Sequence, residues 1–135
     1  MQKRVAMIVG LGVDMVEVDR VAAKVARAGF REKVFSTDEI DFCESKGVHK
    51  AQHYAARFSA KEAFLKATGM GLLLTNDLRE IEVRLSDEGQ PVIHLSGKPE
   101  LLASRNKWRI HVTLSHVQSV ACATVVIETN ETVAG

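Results

Sequence analysis

Between residues 48 and 68 the chain carries neither glycine nor proline, and Gly69 closes the run. Such a span is longer than most strands, and apolar side chains recur through it at the helical period, at Ala51, Tyr54, Ala55, Phe58 and Leu65. The pattern predicts one long helix with a glycine stop, against which the rest of the chain must pack. Glu62 falls in the same stripe, between Phe58 and Leu65. An ionised carboxylate buried there needs a partner, because an unpaired one is costly to desolvate. The plainer alternative is a surface ion pair with Lys66 at i,i+4.

A second acid is out of place nearer the start. Residues 7–18 are apolar and β-branched, which predicts a strand interrupted by Gly10 and Gly12. Side chains alternate faces along a strand, so Gly10, Gly12, Asp14 and Val16 share one side. Asp14 therefore sits among apolar neighbours, and the two glycines leave room for a ligand to approach it. A solvated aspartate on a bulged strand is the alternative.

Downstream, a helix capped by Asp19 and stopped by Gly29 is expected, and it would align Arg20, Lys24, Arg27 and Arg31 along one side. That stripe fits either a solubilising face or an acidic helical partner. Ser36 and Glu39 have the spacing of a capping box for a short helix. Alternation over residues 80–86 predicts a strand, with 92–95 as its hairpin partner, a short helix at 100–104 and two further strands at 109–116 and 119–128. The last is too continuously apolar to be a wet edge. Residues 129–135 look like a loose tail, leaving 1–128 as one α+β domain with a mostly antiparallel sheet packed against helices.

Composition narrows the function. The 18 basic and 17 acidic side chains leave a formal charge of only +1, so no overall field points to nucleic acid or to a membrane surface. Cys43 and Cys122 form no metal or disulfide spacing, as expected of a reduced, cytoplasmic protein. Acids at 14, 17 and 19 interrupt the first apolar run before it reaches membrane-spanning length.

If Asp14 and Glu62 lie close together they repel, and a divalent cation resolves both their burial and their repulsion. Magnesium suits this pair, because it takes one or two protein carboxylates and completes its shell with water and substrate phosphate. Arg57, Lys61 and Lys66 add positive charge on the same helix, as an anion-binding face requires, although solvated helix charges look the same. Backbone N–H groups around Gly69 and Gly71 are further phosphate candidates, weighed against a simple helix stop. The stretch GLGVD is no dinucleotide fingerprint, since Met15 stands where the third glycine belongs. Ser115 and His116 are adjacent on a strand and point to opposite faces, so they make a poor nucleophile pair and a better ligand contact. His49, His53, His94 and His111 are expected to be structural or superficial.

Three blocks carry a family likeness: GLGVDMVEVDR at 10–20, RFSAKEAFLKATGMG at 57–71 and HVTLSHVQSVACATVV at 111–126. In order and separation they resemble the holo-acyl-carrier-protein-synthase class of 4'-phosphopantetheinyl transferases. The resemblance implies transfer of phosphopantetheine from coenzyme A to a serine of acyl carrier protein, with Asp14 and Glu62 holding magnesium and the pyrophosphate. It further implies that Lys66 lies near the phosphates and serves catalysis, that Gly69, Gly71, Ser115 and His116 line the coenzyme pocket, and that Arg20 and its helix meet the carrier. It leaves the base that deprotonates the serine open among Glu62, Asp14 and a water. A homotrimer with sites at subunit interfaces is also implied. Thr113 stands where the family often has serine, and an aromatic residue often found before Glu80 is missing.

Overall fold

Gly12 and Gly10 decide how the two largest elements meet. The computed structural model describes residues 2–134. Its first strand, β1, spans Gln2–Glu17, and the long helix α4 spans Lys50–Thr68. A Cβ at Gly12 would overlap the carbonyl oxygen of Ala63, and one at Gly10 that of Ala67. Helix backbone thus rests almost directly on strand backbone, an approach only glycine permits. The space expected for a ligand is filled by α4, which corrects the sequence reading of these two residues.

The other strands are β2 (Ile81–Leu85), β3 (Pro91–Leu95), β4 (Arg109–His116) and β5 (Val120–Ala134). β5 is central in an antiparallel sheet of order β1-β5-β4, while β2 and β3 form a separate hairpin. The central place of β5 explains its apolar run: Ala121, Ala123, Val125 and Ile127 are buried under α4. On α4 the facing positions are Ala60, Ala63 and Ala67, so small side chains on both layers allow the close fit. A second apolar cluster joins Val18, Val21, Phe35, Cys43 and Tyr54, with the Phe35 and Tyr54 rings edge to face at 5.0 Å.

Several local expectations change. β5 continues through 129–134, where a tail was expected, because it pairs with residues 2–7 of β1. The first helix, α1 (Val18–Val25), ends before Gly29, and Asp19 lies in its first turn while Glu17 is the N-cap. Arg27 N–H bonds Lys24 O in a tight turn, and Gly29, at φ 84°, starts a separate helix, α2 (Phe30–Val34). The expected four-residue basic stripe therefore shrinks to Arg20 and Lys24. Arg27 lies beyond it, and Arg31 pairs with Glu32 and Glu44. Ser36 and Glu39 do form a capping box, at the start of α3 (Thr37–Glu44). Glu82, on the polar register of the alternation over 80–86, is nevertheless buried and paired with Arg84. The last helix, α5, spans Gly97–Asn106.

Candidate active site

Asp14 faces α4 from β1, with its side chain only 14% exposed. Lys66, on the last turn of α4, donates from Nζ to Asp14 Oδ1 at 2.8 Å and to Val13 O at 3.2 Å. Ser59, two turns earlier on α4, lies 3.4 Å from both Asp14 Oδ2 and Asp14 O. Between them on the helix is Glu62. Burial pushes its carboxyl above the ordinary value, the negative charge of Asp14 pushes it further, and Lys66 and Lys24 oppose both. The two acids that looked misplaced in the sequence thus feel each other's charge across the strand–helix contact. Lys66 is shifted upward in turn, chiefly by its hydrogen bond to Asp14 and then by that residue's charge.

No group of three or more His, Cys, Asp or Glu side chains arranged to hold a metal occurs among the described residues. Asp14 and Glu62 are a two-carboxylate set, which suits a hard cation whose remaining ligands are water and substrate oxygen.

A different cluster occupies another side of α4. Arg57 is buried, its guanidinium lies 4.0 Å from the centre of the Phe42 ring, and its Nε has no hydrogen-bond partner. His53 and His116 stack edge to face at 5.3 Å, and with Arg57, Phe42, Thr113 and Pro91 they line a cavity of about 270 Å³. Burial lowers the affinity of Arg57 for its proton, and burial followed by the charge of Arg57 does the same to His53. A buried guanidinium N–H without a partner, beside two imidazoles, has the donor chemistry that suits an anion. Five residues separate Arg57 from Glu62, which is about 140° around a helix. The sequence placed both in one coenzyme pocket, whereas a single chain divides them between two faces.

Lys61 was expected beside the phosphates. Its side chain is 0% exposed and spends its ammonium on Glu39, Leu78 O and Ile81 O, so it is removed from the ligand set. Ser115 pairs with Cys122 on β5 and faces away from α4, so it does not join His116 in the cavity. Gly69 caps α4 at φ 71° and Gly71 follows at φ 53°, both with open space where a side chain would stand. Arg20 and Lys24 line a groove of about 340 Å³ with Met15, Val21 and Phe58, and Lys24 Nζ lies 5.3 Å from the Phe58 ring centre. Sequence reasoning passed over Ser59 and Phe42 and set His53 aside as structural or superficial. Spacing holds a signal for two of them: Ser59 is three residues before Glu62, and His53 is four before Arg57.

The description "4'-phosphopantetheinyl transferase superfamily" belongs to the family model that matches residues 10–125. A holo-[acyl-carrier-protein] synthase of Syntrophus aciditrophicus is 45% identical over 125 residues, which is 90% of this chain and 97% of that protein. The crystal structure of the holo-(acyl-carrier-protein) synthase of Bacillus anthracis in complex with CoA (3',5'-ADP) is 32% identical, with a TM-score of 0.76, covering 91% of this chain and 98% of that one. The corresponding synthase of Neisseria meningitidis superposes with a TM-score of 0.80 at 26% identity, over 91% of this chain and 100% of that one.

Proposed function

The chain belongs to the 4'-phosphopantetheinyl transferase superfamily, and we propose that it moves the 4'-phosphopantetheine of coenzyme A onto a serine of an apo-acyl carrier protein. It is an enzyme of the holo-[acyl-carrier-protein] synthase kind, and the products are holo-carrier and 3',5'-ADP. The observation that carries this reading is the proximity of two largely buried acids, Asp14 and Glu62, with Lys66 hydrogen-bonded to Asp14. Asp14 and Glu62 would hold a magnesium ion, which when bound neutralises both acids and makes the β-phosphorus of coenzyme A more electrophilic.

The chain's own groups supply the rest. The serine oxygen attacks the β-phosphorus, the bond from that phosphorus to the bridging oxygen breaks, and the electron pair leaves with 3',5'-ADP. Lys66, exposed enough to swing from Asp14, offsets the charge that grows on the phosphoryl oxygens. Glu62, placed on the helix face beside Asp14 and Lys66, takes the serine proton; Asp14 or a water is the alternative acceptor. No covalent bond to the enzyme forms. Arg20 and Lys24 receive the carrier, since their groove opens beside the helix face that carries Glu62.

Division of the site between two faces of α4 supports shared sites in a homotrimer. Coenzyme A is long enough to lay its pyrophosphate by Asp14 and Glu62 of one copy and another phosphate on Arg57, His53 and His116 of the next. The outer face of β1 supports the same assembly: Leu11 is 65% and Met15 68% exposed, and Ile8 and Val13 are also open to water. The transferase domain in this reading runs past residue 128 to the end of β5, since 129–134 pair with the start of β1. No helix among the described residues is long and apolar enough to cross a membrane, and we place the enzyme in the cytoplasm.

The test is to incubate the protein with coenzyme A, magnesium and an apo-carrier and to weigh the carrier. The expected gain is one phosphopantetheine on serine, with 3',5'-ADP released in equal amount and neither product formed without metal. Consumption of coenzyme A in the absence of any carrier would point to a hydrolase and overturn the proposal.

A further inference from the structure

Lys61, excluded from the coenzyme, sits at the centre of a fully bonded polar network in the core. Its Nζ donates to Glu39 Oε1 at 2.7 Å, Leu78 O at 3.0 Å and Ile81 O at 2.6 Å, so every ammonium proton is used. Glu39 in turn accepts from Ser36 N at 3.0 Å on Oε1 and from Val83 N at 2.9 Å on Oε2. Neither side chain touches water. Three of these five bonds tie α4 to α3, to the turn before β2 and to the first residue of β2, and the other two fix Glu39 to the α3 cap and to β2.

This matters because on the β1 face the only directional bonds to α4 among the described residues are those of Ser59 and Lys66 to Asp14 and Val13, which belong to the site itself. There Ala60, Ala63 and Ala67 lie on the glycines of β1 and the alanines of β5. Close packing of small residues sets how near α4 lies to the sheet, and hydrogen bonds to a buried ammonium, being directional, add a fixed angle about the helix axis. A carboxylate about 5–6 Å from the helix axis moves about 2 Å when the helix turns by about 20°. Misplacement by about 1 Å at a reacting centre is enough to cost about 10²-fold in rate.

We propose that the Lys61–Glu39 pair positions the active site, setting the rotation of α4 so that Glu62 and Lys66 both aim at Asp14. The pair touches neither substrate nor metal; it acts through Glu62, one residue on, and Lys66, on the next turn. The role rests on the transferase reading above, and it goes beyond it by assigning the first lysine of the KEAFLK segment to the helix and not to the phosphates.

Three variants test this. Lys61→Met leaves Glu39 buried and unpaired and is expected to melt far below the native chain. Lys61→Met combined with Glu39→Gln removes both charges and is expected to recover most of the lost melting temperature. Its kcat is expected to stay about 100-fold low, with KM for coenzyme A within about threefold of native. Its affinity for Mn²⁺ alone, followed by electron paramagnetic resonance, is expected to be about tenfold weaker. Glu39→Asp keeps both charges but draws the pair out of place, and is expected to lose about tenfold in kcat while remaining folded.

A pair that served folding alone would give a recovered double variant with native kcat and native Mn²⁺ affinity, and that result overturns the proposal. Native kcat in Glu39→Asp overturns it equally should the double variant fail to fold. The unaltered chain, run in parallel, separates the two claims. If it transfers nothing, the transferase reading falls and the Mn²⁺ affinities judge the pair; if it binds no Mn²⁺ either, both fall.

Discussion

Gly12 lies against the backbone of Ala63 so closely that a Cβ on the glycine would overlap the alanine's carbonyl oxygen and come within 2.7 Å of Ala67 N. Asp14 stands two residues further along the strand, on the same face. The contact that seats the helix is therefore also the contact that brings the two acids together.

Gly12→Ala is expected to destabilise the fold by about 1–3 kcal/mol, the usual cost of overpacking a filled core. Because α4 must lift to admit the methyl group, kcat is expected to fall at least about tenfold beyond any loss of folded protein. Urea unfolding gives the first quantity and single-turnover transfer the second. A folded variant with native turnover would mean that this contact does not set the site.

Glu62 gives a stability test that needs no substrate. Burial, and then the charge of Asp14, raise its proton affinity in the folded state above that of the unfolded chain. In the pH window between the two values the folded state holds more protons, so stability falls as pH rises. Without metal, Glu62→Gln is expected to melt higher than the native protein at neutral pH. The difference should vanish on acidification below the unfolded carboxylate's range, about 4.3. Calorimetry at several pH values checks this, and a variant that melts lower at every pH would contradict it.

How much of this was legible in the residues depends on whether a signal is local. The helix over Lys50–Thr68, its stop at Gly69 and the Ser36–Glu39 capping box rest on contacts within a few residues, and patterns of that range survive folding. Asp14 and Glu62 were recognisable because each breaks an apolar stripe. Lys61 misled because a buried lysine and a phosphate-binding lysine look alike until Glu39, 22 residues away, is seen beside it. The glycines of β1 misled for a similar reason: a gap in side-chain bulk does not say what fills it. The continuation of β5 to Ala134 was hidden because its partner is the opposite end of the chain.

Arg57 and Glu62 belong to different sites of the assembly if coenzyme A spans two copies. Arg57→Ala and Glu62→Gln chains are each expected to be nearly inactive alone. Mixed in equal amounts and allowed to exchange subunits, they should recover about one quarter of native activity, since a site needs one intact residue from each of two neighbours. No recovery after exchange verified by mass would place both residues in one chain's site.

The decisive measurement is the rate at which Glu62→Gln, Asp14→Asn and the native chain load an apo-carrier at saturating magnesium and coenzyme A, each with its Mn²⁺ affinity. Both variants are expected to lose about 100-fold or more in rate and to bind Mn²⁺ more weakly, while melting as cooperative folded proteins. Native rates in either variant would contradict the assignment of these two carboxylates as the metal-holding centre of the reaction.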